Sequence, residues 1–376
     1  MKEKTNRNQT FQYLMVFAII SVIMGHVDLD TFPLLNSWFT PYSYHMAMFL
    51  FISGYFYKEE NRKDTKALLS FIGKKCKNLL IPLYLWNLFY GLVTYVISFQ
   101  GFALGQMPNI KNILFGPIYD GQHFGLNMPS WFVFPLFLVQ VLFAVAGYVI
   151  YREKSAGKVA EVVTTLVLFV ISAISVYLVI RGNVSPVYLV YLRVSFFAFF
   201  YQIGRMYRKY LEEWDTLGHL AYFSICFAIQ FLILFLAKGR LDYVIAGGSQ
   251  FENGPVLPFI TALTGIAFYL RLAKICAKGI GESRAVNTIC SYAFSIMMHQ
   301  FVGFYVVKIA IGICQRLFGI FGDFSMDVIK INIWYYYFPR NVASFGVFYI
   351  VGGIVVPILI GMVTKKAYAK IWKEHR

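Results

Sequence analysis

The chain has 376 residues, of which 59% are hydrophobic, 19% aromatic and only 14% charged, with a formal net charge of +16. A soluble domain carries about 25% charged residues, so this composition excludes an ordinary water-soluble core and points to a membrane protein. The five cysteines (Cys76, Cys226, Cys276, Cys290 and Cys314) form no CxxC or paired spacing, which argues against a zinc site or a disulfide framework.

In chain order, the first apolar run opens at Phe11 after Lys2, Lys4 and Arg7. It resembles a secretory signal, but it ends on Met24-Gly25-His26 without a small-x-small cleavage site, so a retained first span is expected. Runs of membrane-crossing length, roughly 17–25 residues, place spans near 11–27, 41–57, 79–98, 130–150, 159–180, 186–204, 218–237, 255–275, 289–312 and 344–364. The expected fold is all-α: a polytopic membrane protein with about ten transmembrane helices in one bundle. It is read as a single domain over 1–376, with a short N-terminal segment 1–10 and a tail 365–376. No short repeat, low-complexity tract or inserted soluble domain is visible.

The basic residues are distributed unevenly. Segments 1–10, 58–78, 151–158, 205–217, 271–288 and 365–376 hold 25 of the 34 lysines and arginines, the opposite loops hold 7, and Arg193 and Lys308 fall inside spans. This is the positive-inside pattern, and it predicts both termini in the cytoplasm. The charge is then topological and faces membrane lipids with anionic headgroups rather than nucleic acid. Two long outer loops, 99–129 and 313–343, are rich in aromatic residues and glycine and are candidates for substrate-facing structure. Trp334-Tyr335-Tyr336-Tyr337 reads first as an interfacial aromatic belt. Stacking against sugar rings is the alternative.

Ionisable groups inside hydrocarbon are expensive and mark function by default. His26 ends the first span and His45 begins the second on the same side, so both lie at one depth, while His299 lies near mid-membrane in the ninth. An imidazole can take a proton from a hydroxyl and return one to a leaving group, as acyl transfer to an alcohol requires. Asp28 follows closely enough to fix the tautomer of His26. The plain alternatives are that His26 bonds backbone at a helix end and that His45 faces water or caps a neighbour. His26-x-Asp28-x-Asp30 matches no standard zinc or calcium spacing, so no metal is expected. Arg193 sits too deep to be a flanking charge, and it can snorkel, pair with an acid, or meet a phosphate or an acyl carbonyl. No Asp or Glu lies in any predicted span interior, which argues against a proton-coupled transporter.

Four stretches resemble the integral-membrane acyltransferase family 3: VIMGH ending at His26, YHMAMFLFISGYFYK around His45 and Ser53-Gly54, PSWFVFPLFL containing Trp131, and SYAFSIMMHQ containing His299. KNLLIPLYLW and FFYQIGRMYRK are similar more weakly. The resemblance implies an O-acyltransferase of a bacterial cytoplasmic membrane. It would move an acyl group, acetyl foremost, from cytoplasmic acyl-CoA to a hydroxyl of a surface glycan or its lipid-linked precursor. His26 would be the general base and Asp28 its orienter, with His45, Trp131, Arg193 and His299 binding substrate. Acetyl-CoA would be a substrate, with no permanently bound cofactor. Where the family carries a basic residue in its first helix, this chain offers Gln12 and Met15, and Asn78 replaces the arginine before Leu-Ile-Pro. Lys77, Arg193 or the cytoplasmic lysines are the available replacements. The departure leaves a second reading, a non-catalytic protein of polysaccharide export or assembly. Ser53-Gly54 is expected to be a close-packing or kinking site.

Overall fold

The computed structural model describes residues 8–27, 38–151, 157–238 and 241–374. Among them no strand occurs, and the long helices are α1 (Gln9–Val27), α2 (Pro41–Tyr55), α3 (Ile81–Ser98), α4 (Val133–Tyr151), α5 (Lys158–Ile180), α6 (Pro186–Met206), α7 (His219–Leu236), α8 (Leu257–Gly279), α9 (Ala293–Phe318) and α10 (Gly346–Glu374). Nine are long and apolar enough to cross a bilayer. The exception is α2, whose 15 residues rise only about 22 Å against a hydrocarbon core of about 30 Å. Every residue from Ser43 to Ile52 is buried, and α1, α6 and α8 surround the helix. A span wrapped in protein does not need to match the bilayer, so the expected ten crossings resolve into nine lipid-length helices and one encased short one.

The third helix starts earlier than its apolar run. Thr65–Lys75 is helical, opened by Asp64 accepting from the Ala67 N–H at 2.7 Å, and a π-turn at Cys76–Leu80 carries it into α3. Its charged residues hide this extension from a search for apolar segments. Elsewhere the bundle presents large apolar side chains outward, as at Leu220, Phe231 and Phe235 of α7. Such a surface is stable only against lipid.

The central contact is between α2 and α6. A Cβ on Gly54 would lie 1.9 Å from the Tyr201 carbonyl oxygen, and one on Gly204 would lie 2.0 Å from that of Phe51. The two glycines therefore let the backbones touch, the close-packing role expected at Ser53-Gly54. Tyr44 of α2 shares a hydrogen bond with Ser21 of α1 (3.3 Å) and donates one to Tyr269 of α8 (2.9 Å), stitching three helices at depth.

The bundle has two chemically different ends. At the end holding the start of α1, Glu161 receives hydrogen bonds from Gln202 (2.8 Å), Arg205 (3.1 Å) and Lys209 (3.3 Å). Asp215 receives them from Arg271, Lys274 (2.7 Å) and Tyr207 (2.9 Å). Burial alone would raise the Asp215 pKa, but its bonds to Lys274 and Tyr207 and the charges of Lys274 and Arg271 hold it below the usual carboxylate value. At the opposite end, which holds His26, the loops grip one another. The Ala103 N–H donates to Lys330 O at 2.8 Å and the Gly125 N–H to Leu104 O at 2.7 Å, forming a roof over the helix ends.

Because the Gly54 position faces backbone rather than a movable side chain, Gly54→Leu should destabilise the bundle by about 2 kcal/mol or more. Thermal unfolding in detergent checks this, and an unchanged midpoint would mean that α2 and α6 do not cross here.

Candidate functional site

His26 lies in the last turn of α1 and His45 in the first turns of α2. His26 Nδ1 is 3.1 Å from Gln300 Oε1, and Gln300 Nε2 donates to the Met297 carbonyl at 3.3 Å, which orients the amide with its oxygen toward the imidazole. Nδ1 therefore carries the hydrogen and Nε2 keeps its lone pair. The same assignment holds for His45, whose Nδ1 donates to the carbonyl of Pro41 one turn earlier. Tyr42 stands between them, edge-on to the His26 ring (centroids 6.2 Å apart) and to the His45 ring (5.1 Å).

Both histidines line one cavity of ≈ 140 Å³, together with Tyr42, Trp131, Met297 and Trp334 and with the stretch from Val244 to Gly247. A cavity near this size holds a molecule as large as benzene, so it has room for an acyl group and the hydroxyl that attacks it. Trp334 is the unexpected wall. Its ring lies 6.0 Å from that of His26 and 5.3 Å from Phe301, whereas Tyr336 and Tyr337 pack inward on Phe304, Tyr349 and Phe324. The aromatic run is thus built into the roof, with Trp334 still 44% exposed.

Arg193 is 1% exposed and stacks its guanidinium over Trp131 at 5.3 Å. Its Nε donates to Ala246 O at 3.1 Å, its Nη2 donates to the same oxygen, and its Nη1 donates to Tyr119 O (3.1 Å) and Asp120 O (3.2 Å). Expected as a substrate-binding residue, Arg193 instead spends its donors on backbone and ties two loops beside the cavity. That also removes it as a replacement for the missing first-helix base, which belongs to the other end. Lys308 acts alike: Nζ donates to Ile333 O at 2.7 Å, one residue before Trp334, between the rings of Tyr305 and Tyr336.

The remaining expected residues lie elsewhere. His299 precedes Gln300 on α9, and the roughly 100° turn per helical residue points it away from His26. Its Nδ1 meets Tyr90 OH at 2.7 Å and its ring packs on Trp86 of α3. It does not line the cavity. Asp28, expected to orient His26, lies outside the described residues, and in the structure Gln300 holds that nitrogen. Gln300 was missed because an uncharged amide inside an apolar helix gives little signal, although it closes the quoted stretch SYAFSIMMHQ.

At the basic end, Gln12 Nε2 donates to Asn287 Oδ1 at 2.7 Å, so of the two first-helix positions singled out in the sequence, Gln12 forms a neutral amide pair and Met15 carries no charge. Gln12 and Met15 line one cavity at this end, and a separate cleft of ≈ 430 Å³ is lined by Tyr57, Lys58, Glu59, Arg205, Arg208 and Lys209 among others. Gln12 precedes His26 by 14 residues, about 21 Å along the helix axis.

A family model described as an acyltransferase domain matches residues 8–362. No curated protein and no solved structure matches the chain.

Arg193→Met should strand the buried Ala246 carbonyl, at a cost of about 1–3 kcal/mol, and remove a partner from the part-buried Tyr119 and Asp120 carbonyls. A lowered unfolding midpoint and faster proteolysis between 241 and 256 are the expected readings. Unchanged stability with weakened donor binding would instead make Arg193 an anion ligand.

Proposed function

Because the chain belongs to the acyltransferase family whose domain spans it, we propose that this membrane acyltransferase moves an acyl group, acetyl foremost, from acyl-CoA to a hydroxyl of a cell-surface glycan or its lipid-linked precursor. The observation that carries the reading is His26, held by Gln300 through Nδ1 at the wall of a cavity of acyl-group size. Its Nε2 takes the hydroxyl proton as the acceptor oxygen bonds to the thioester carbon. The tetrahedral intermediate then expels the CoA sulfur, which leaves with that proton. His45 offers a second bare Nε2 to the acceptor hydroxyls, and Trp131 and Trp334 shut out water. Gln300 is a positioning residue that stabilises the imidazolium formed in transit.

The donor side follows from charge. The positive-inside rule puts the basic end, with Lys58, Arg205, Arg208 and Lys209 around its cleft, in the cytoplasm where acyl-CoA is made. Those residues suit the phosphates of CoA, and His45 and His26 then face the opposite compartment. Arg193 positions the roof, and His299 supports α9 through Tyr90. Asp28, two residues after His26 in the sequence, remains a candidate carboxylate for His26, and the buried Asp242 lies close enough to Tyr42 to act on it electrostatically.

The neutral Gln12–Asn287 pair favours one second reading, a non-catalytic export or assembly protein. Normally acylated glycan accumulating inside a deletion strain would select it.

His26→Gln should abolish O-acyl esters on the surface glycan while folded protein persists in the membrane. Gln300→Leu should lower turnover by about 10²-fold, with KM for the acceptor nearly unchanged and a displaced pH–rate profile. Wild-type ester content in the His26 variant would remove it from the mechanism.

A further inference from the structure

A second and larger cavity opens on the histidine end. The cleft, ≈ 800 Å³, lies between the loop 106–123 and the start of α6. Exposed Phe115 and Tyr119 rings line it, together with exposed Gln106, Asn109, Lys111 and Ser185 and the partly exposed carboxylate of Asp120. His123 closes the wall, its Nδ1 3.2 Å from Asp120 Oδ2. The floor is rigid: Asn109 and Asn112 cap each other's backbone N–H groups (2.9 and 2.8 Å), and Asn112 also donates to Met107 O.

This cleft is joined to the reaction cavity by one turn. Tyr119, Asp120 and His123 line the cleft, while Gln122 lines the cavity of His26. Gly121 sits between them at φ +70°, where a Cβ would lie 2.5 Å from Trp131 Cα, so the turn presses directly on the cavity wall. Arg193 fixes the Tyr119 and Asp120 carbonyls from below.

We propose that this cleft binds the part of an oligosaccharide acceptor that flanks the acylated sugar, so that the enzyme reads several sugar rings and modifies one. The claim rests on the glycan-acceptor reading above. Exposed rings offer apolar faces to pyranose rings, and planar amide and carboxylate groups pair with adjacent hydroxyls. The size ratio decides the division of labour, since ≈ 800 Å³ takes more than one sugar ring and ≈ 140 Å³ takes only the reacting group. The mixture of one carboxylate and one lysine, Asp120 and Lys111, favours neutral or zwitterionic chains over polyanions.

The test is binding of an array of defined monosaccharides and matching di- to hexasaccharides to protein in nanodiscs. Three proteins are compared: wild type, His26→Gln, and the double variant Phe115→Ser/Tyr119→Ser. Wild type and His26→Gln should bind the best oligosaccharide roughly tenfold or more tighter than its monosaccharide, and the double variant should lose that advantage while keeping the wild-type unfolding midpoint. If the double variant misfolds, Gln106→Ala with Asp120→Asn provides the same comparison. Length-dependent binding that survives these variants overturns the cleft and leaves the glycan acceptor standing. Absence of binding to every array member by wild type and His26→Gln overturns both.

Discussion

In hydrocarbon each buried polar group must find a partner within the protein, because water is not there to supply one. The histidine end meets that constraint with buried cations. Arg193 satisfies carbonyls from two loops, and Lys308 satisfies one from a third. Irregular backbone can then lie at the mouth of the bundle, and with it come Trp334, Gln122 and the strip from Val244 to Gly247 that enclose the cavity. The same rule fixes the chemistry. Each imidazole gives its Nδ1 hydrogen to an oxygen, Gln300 for His26 and Pro41 for His45, which leaves Nε2 as the basic atom on both rings.

The encased helix α2 links this site to the rest of the fold. Gly54 and Gly204 bring it against α6, and Tyr44 ties it to α1 and α8. Its two ends do different work. Its first turns carry Tyr42 and His45 into the cavity, and just past its last turn Tyr57 and Lys58 line the basic cleft. In our reading donor and acceptor approach from opposite ends of the same short helix. A shift of α2 along its axis would disturb both.

Much of this architecture was legible because lipid imposes a simple length rule on sequence. The apolar runs located all ten main helices, nine of them of crossing length, and the boundaries failed mainly where charged residues continue a helix beyond its apolar run, as at Thr65–Lys75. His26 and His45 stood out as polar residues in apolar surroundings, and they share a cavity because a short connection puts them at one depth. Arg193 stood out for the same reason, but its partners did not, since they are main-chain oxygens 53, 73 and 74 residues away in loops without regular pattern. Gln300 and His299 show the finer limit. Adjacent on α9, they face different neighbours, and only the rotation of that helix against α1 and α3 decides which one meets His26.

The central claim is that Gln300 holds His26 in the Nδ1–H form with a bare Nε2 in the cavity. Nitrogen-15 NMR of histidine-labelled protein in bilayers at pH 8 reads this directly, with the His26 signals identified as those lost in His26→Gln. The account predicts a neutral ring protonated at Nδ1 in the wild type, and loss of that fixed tautomer in Gln300→Leu. A ring protonated at Nε2, or one whose tautomer ignores the Gln300 substitution, would contradict it.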